Sequence, residues 1–241
     1  MIQLTSQNKV IIQQIDHNKR DLVLIFPGGG YQRTSLREGK PVAEMFNNLG
    51  YHTAIYEYRH TLLKHPDVIN EAMDVLHQIK QLPFVHRVLI IGFSAGGHLA
   101  LHTIEKRPKD IHAGILCYPV VSTDPSIAHQ GSFDFLLNEH QNIDEVSLEN
   151  HVSEKMPPIF LWHTLEDQSV PVENSMVLLK NLHEKGVSVE AHFYPKGKHG
   201  LSLANEQTPF DSMDKDEFAK ENKHVSTWTK TLKKWLEDIA C

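Results

Sequence analysis

A run of apolar, mostly β-branched residues over 87–93 (RVLIIGF) passes straight into Ser94-Ala95-Gly96, and from there into a helical pattern lasting to about Lys106. A strand that is apolar on both sides must be covered on both sides, which in soluble chains means helices above and below a largely parallel sheet. The same alternation recurs along the chain. Residues 21–26 (DLVLIF) read as a buried strand stopped by Pro27 and three glycines, and 41–49 (PVAEMFNNL) as a helix closed by Gly50. Strands are expected at 51–58, 112–120, 157–163 and 187–195, and helices at 68–82, 172–186 and near 222–239. An α/β, mostly parallel, doubly wound sheet flanked by helices is the expected architecture. Sites in such sheets form beyond the carboxyl ends of the strands.

Two stretches interrupt the rhythm. Residues 122–156 form a polar insertion, read as a possible small cap over the site, and 200–220 show no clear periodicity. At 241 residues the chain is expected to form one domain, 1–241. Its formal net charge of -6 excludes the basic face that nucleic-acid binding needs. No segment approaches the roughly 18 apolar residues of a membrane span and the start lacks a signal-peptide core, so a cytoplasmic protein with no membrane partner is expected. Cys117 and Cys241 are expected to be free thiols. Seventeen histidines raise the question of a metal, but there is neither an H-E-x-x-H motif nor a cysteine pair at ligand spacing, so no metal site is assigned.

Gly92-Phe93-Ser94-Ala95-Gly96 fits the G-x-S-x-G elbow in the context that motif requires, between a buried strand and a helix. Such a turn holds Ser94 at a helix N-terminus, where unpaired amides favour developing negative charge. A serine hydroxyl is a weak nucleophile until a base takes its proton, and the base needs an acid to set its tautomer. Directly after the strand at 157–163 lie Glu166 and Asp167; Asp167, further out in the loop, is taken as the acid, with Glu166 as the alternative and Asp124 and Asp144 as weaker ones. Four histidines follow. His183, His192 and His224 fall in regular elements and read as structural, whereas His199, in the Gly-flanked loop KGKHG, is placed as a general base should be.

Acyl transfer also needs donors for a developing oxyanion. The amide of Ala95 is one, and Gly29 or Gly30 of the Pro27–Tyr31 loop supplies the other. Tyr31 and Arg33 are candidates to reach substrate from this loop, with plain loop packing as the alternative. His98 reads as a packed helix residue, and Met45, Met73 and Met176 occupy core-like helical positions.

With these residues assembled, the chain resembles the α/β-hydrolase-fold esterases near the acetylxylan esterases and other small carbohydrate esterases. The resemblance runs from about Asp21 to the C-terminus and rests on PGGGY (27–31), REGKPVA (37–43), GFSAGGHLA (92–100), WHTLEDQSVPVENS (162–175) and PKGKHGLSLA (195–204). It implies the α/β-hydrolase fold, deacetylation of a small-molecule ester such as an acetylated sugar or xylo-oligosaccharide, no metal or organic cofactor, and Ser94, His199 and Asp167 as the catalytic residues. The departure is Pro27, where lipases with an HGGG loop carry histidine.

Two rivals stand beside this reading. A peptidase of the prolyl-oligopeptidase type or an arylformamidase would use the same nucleophile, base and acid, and fold alone does not choose between them. Against a large oligopeptidase, the chain shows no propeller-sized N-terminal domain. A non-catalytic binding protein on the same fold is the other rival, and the presence of all three residues in order argues against it.

Overall fold

The computed structural model describes residues 4–139 and 142–239. Seven strands form one sheet, β1 (Lys9–Gln13), β2 (Arg20–Phe26), β3 (His52–Glu57), β4 (Val85–Phe93), β5 (Ala113–Cys117), β6 (Ile159–Thr164) and β7 (Val189–Tyr194), in the order β1-β3-β2-β4-β5-β6-β7. All neighbours run parallel except β1, which pairs antiparallel with β3 from Lys9 opposite Glu57 to Gln13 opposite Thr53. The sequence pattern assigns nothing to β1. Its apolar core is only Val10-Ile11-Ile12, and as an edge strand it takes stability from pairing rather than from burial on both faces.

The winding reverses at β2. From β2 the chain moves to β3 on one side and then to β4 on the other, and Phe26 stands in register with Gly92. The loops that leave β2 and β4 therefore open side by side, at the switch point where open α/β sheets bind ligands.

Helices α1 (Lys40–Asn48), α6 (Lys215–Glu221) and α7 (Trp228–Ile239) cover one face, with Phe46, Phe218, Trp228 and Trp235 in its core. Helices α2 (Asp67–Lys80), α3 (Ala95–Lys106) and α5 (Glu173–Glu184) cover the other. The insertion at 122–156 holds α4 (Gln130–Leu136) and two short 3-10 turns, and it sinks Phe133, Leu136, Val146 and Leu148 into that second core. Within 200–220, where no periodicity is visible in the sequence, Asp214 caps α6 by accepting from the amides of Asp216 and Glu217. The last helix starts at Trp228, later than 222, because α6 and a 3-10 turn at Val225–Thr227 occupy the preceding residues.

Met45 and Met73 are half-buried, but Met176 is exposed on the outer face of α5, contrary to its assignment to the core. Cys117 is a buried free thiol, and Cys241 lies outside the described residues. No helix among the described residues is long and apolar enough to cross a membrane.

Candidate active site

Strand β4 ends at Phe93, and Ser94 takes φ 53° and ψ -123° before α3 begins. A left-handed serine is strained and persists only where its surroundings over-determine it. Here its N–H donates to Cys117 O at 3.0 Å, and its carbonyl accepts from His98 N and Val120 N, both at 3.1 Å. Gly96 is required by close approach, since a Cβ there would stand 2.2 Å from Phe26 O and 2.4 Å from Pro27 O. The elbow is thus pressed against the start of the β2 loop.

Ser94 Oγ lies 2.9 Å from His199 Nε2, and His199 Nδ1 lies 2.6 Å from Asp167 Oδ2. A carboxylate only accepts, so the His199 proton sits on Nδ1 and Nε2 faces the serine hydroxyl with its lone pair. The Tyr118 ring closes against the imidazole edge-on, with centroids 5.2 Å apart.

Asp167 is saturated with donors. Oδ1 accepts the amides of Ser169 and Val170, each at 2.9 Å, while Oδ2 accepts His199 Nδ1–H and, at 3.1 Å, His163 Nε2–H. Burial would push the pKa of this carboxyl up, but the hydrogen bonds from His163 and His199 outweigh it and hold the group well below the usual carboxylate range. His163 is fully buried; its Nε2–H also reaches Val170 O, and its Nδ1 accepts from Ser175 Oγ at 2.8 Å. In the sequence His163 passes as part of a strand. Its signal is a polar residue near the end of an apolar run, four positions before the acid.

The other acids lie elsewhere. Glu166 is exposed and meets Gly197 N at 3.3 Å, Asp124 accepts from Ser126, and Asp144 lies in the 3-10 turn at Ile143–Val146. His192 pairs with Glu190, His224 donates to Lys196 O, and His183 is exposed on α5.

On the opposite side of Ser94, the amides of Ala95, Gly29 and Gly30 make no hydrogen bond among the described residues. The neighbouring Gly28 amide is occupied, donating to Glu38 Oε2 at 2.8 Å. Glu38, buried and not singled out by the sequence, also accepts from Tyr118 OH at 2.6 Å, and that phenol oxygen accepts from Ser202 N at 2.9 Å. One carboxylate thereby ties the glycine loop to the segments after β5 and after His199.

Gly29 at φ 131°, Gly30 at φ 65° and Tyr31 at φ 58° turn in succession. Tyr31 does not reach substrate as expected. It is fully buried, and its hydroxyl donates to His98 Nδ1 at 2.8 Å, while His98 Nε2–H donates to Val146 O at 2.9 Å. Burial pushes the His98 imidazole down to about 4, against the pull of the Val146 bond, so it remains neutral. Arg33 is exposed and lines the cleft. That cleft, of about 630 Å³, is bounded by Ser94, His199, Gly29, Gly30, Arg33 and, from the insertion, His129.

A doubly wound sheet with a serine, a histidine and an aspartate bonded in sequence at its switch point is the arrangement of the α/β-hydrolase fold. More narrowly, the chain belongs to the prolyl oligopeptidase family, whose pattern matches residues 51–226. It is 32% identical over 220 residues to endo-1,4-beta-xylanase B of Butyrivibrio fibrisolvens, covering 80% of this chain and 34% of that protein. It is 28% identical over 236 residues to the acetylxylan esterase of Xylanibacter ruminicola, covering 89% of this chain and 47% of that protein. The chain thus spans less than half the length of these two relatives. Among solved structures it is similar to the acetyl ester-xyloside bifunctional hydrolase of Caldicellulosiruptor lactoaceticus (TM-score 0.83, 32% identity, 97% of this chain and 88% of that one). A sugar hydrolase of Lactococcus lactis is likewise similar (TM-score 0.85, 31% identity, 98% of this chain and 96% of that one).

Proposed function

We propose that this protein is a serine ester hydrolase that removes acetyl groups from small acetylated sugars such as xylo-oligosaccharides, through an acyl-serine intermediate. The observation that carries the reading is the continuous relay from Ser94 Oγ through His199 to Asp167 beside three unoccupied amides. Ser94 Oγ attacks the ester carbonyl as His199 Nε2 takes its proton. The amides of Ala95 and of Gly29 or Gly30 receive the oxyanion. The tetrahedral intermediate collapses, the alcohol leaves with the proton from His199, and a water activated by the same imidazole releases acetate. Every step uses groups of the chain and water, so neither a metal nor an organic cofactor enters the scheme.

The substrate class is supported by the names of the relatives, which include an acetylxylan esterase and an acetyl ester-xyloside hydrolase. A cleft much larger than an acetyl group, with Arg33, Arg37 and Asp211 among its lining residues, also suits a sugar alcohol. A cytoplasmic setting is part of the proposal and fits the free, buried Cys117 thiol.

The test compares wild type with folded Ser94→Ala on p-nitrophenyl acetate, butyrate and octanoate, acetylated xylo-oligosaccharide and an N-acetyl-alanine anilide, the last because the family carries a peptidase name. Ser94-dependent release of acetate from the sugar, with acetate preferred among the acyl chains, is the expected result. Preference for octanoate or for the anilide discards the substrate class, and full activity in Ser94→Ala discards the mechanism.

A further inference from the structure

Among the described residues of the insertion at 122–156, His129 lines the cleft. Both side-chain hydrogen bonds of this histidine are on its inner nitrogen, while its carbonyl shares the Ser132 amide at 2.9 Å. Nδ1 accepts the Ser132 amide at 3.2 Å and faces the Ser132 hydroxyl at 2.8 Å. A backbone N–H can only donate, so Nδ1 carries the lone pair and the ring proton lies on Nε2. Nε2 has no protein partner among the described residues, and it is not sealed from solvent as the Nε2 of His112 is. Burial lowers the basicity of the ring, and so does the nearby His199, while Asp167 and the residue's own carbonyl pull the other way; an Nδ1 that accepts the Ser132 amide belongs to a neutral ring.

The position of that donor narrows what it meets. Its ring stands beside the oxyanion loop, with Cε1 4.0 Å from where a Cβ on Gly30 would lie. It shares the cleft with His199, the group that must touch the leaving alcohol. An acetyl group fills only a small part of about 630 Å³, so walls away from Ser94 Oγ face the alcohol portion of the ester.

We propose that His129 is a specificity residue whose Nε2–H donates to an oxygen, hydroxyl or ring ether, on the alcohol part of a sugar ester. The assignment rests on the esterase reading above and adds to it the group that distinguishes a polyhydroxylated alcohol from an apolar one. A neutral donor suits this task, since it binds a sugar oxygen without favouring an anionic substrate.

Two variants separate the donor from the fold. His129→Asn keeps a side-chain acceptor for the Ser132 amide on a shorter side chain, and His129→Phe keeps the ring volume without its N–H. Both are assayed on acetylated xylo-oligosaccharide and on phenyl acetate, whose leaving group has no oxygen beyond the ester, with thermal melts to establish folding. In both variants the ratio of kcat/KM for the sugar acetate to that for phenyl acetate is expected to fall about fivefold to tenfold, mainly through KM, the range for one lost neutral hydrogen bond. Proportional losses on the two substrates, leaving the ratio within about twofold, overturn the assignment alone. Wild-type protein that cleaves phenyl acetate through Ser94 but no sugar acetate overturns both the substrate class and this assignment.

Discussion

The two sides of Ser94 are held by different physics. On the acid side, Asp167 accepts four N–H donors, two from the backbone and two from imidazoles, and one ionised group pulls its surroundings into place. On the oxyanion side the amides have no partner among the described residues, and the loop presenting those of Gly29 and Gly30 is a run of left-handed residues anchored from outside by Glu38 and by the Tyr31–His98 bond. Charge with redundant hydrogen bonds positions the first, and strain held by a few distant interactions positions the second. The acid side therefore tolerates one broken hydrogen bond better than the loop does, provided that the charge itself survives.

Removing that charge gives the largest expected effect. Asp167→Asn keeps the shape but presents an amide to His199, favouring the wrong tautomer, and kcat on phenyl acetate should fall about 10³- to 10⁴-fold. A loss under tenfold in a folded variant would show that the acid side does not work through tautomer control. Acidification separates the two sides without mutation. Between its ordinary value of 6.5 and about 4, His98 takes up a proton in the unfolded chain but not in the folded one. Stability is therefore complete above that window and declines as pH falls through it, by about 3 kcal/mol from this residue at its lower end. The depressed Asp167 works in the same sense but in a lower window, contributing above the ordinary carboxylate value and losing that contribution only at more acid pH. Urea melts at pH 7 and 5 should show this slope in wild type and a shallower one in His98→Asn; equal slopes would remove His98 from the account.

Glu38→Ala cuts the outside anchor of the oxyanion loop and frees the Gly28 amide, and kcat should drop about 10²-fold with little change in KM, the scale of one misplaced oxyanion donor. The smallest effect belongs to the redundant side. His163→Phe removes one of the four donors to Asp167 and should lower kcat by about tenfold or less, with a loss of about 1–3 kcal/mol in urea melts because Ser175 Oγ is left without its buried acceptor. If His163→Phe costs more activity than Glu38→Ala, the contrast between the two sides is inverted.

Ser94, His199 and Asp167 were legible because each carries a local mark: glycines about a strand-to-helix turn, a Gly-flanked loop after the last strand, an acid just beyond another strand. The residues that support them are tied over longer spans. Glu38 acts through Tyr118, 80 positions away, and Tyr31 through His98, 67 positions away, so neither partnership leaves a trace in spacing. Tyr31 and His98 each stand out separately; only the fold shows that they hold one another. The missed elements have equally plain causes. β1 is too short, with only three apolar residues, to stand out alone, and α6 is a seven-residue helix whose main sign is its Asp214 cap.

The order in which the site is assembled along the chain follows from the switch point between β2 and β4. Oxyanion loop and nucleophile both precede α3, whereas acid and base come from positions 167 and 199, after β6 and β7. During synthesis the serine emerges long before the imidazole that activates it, and a serine without its base is a weak nucleophile. A nascent or truncated chain lacking the segment after β7 holds the reactive residue yet stays chemically silent, so hydrolysis reports that the fold has been completed.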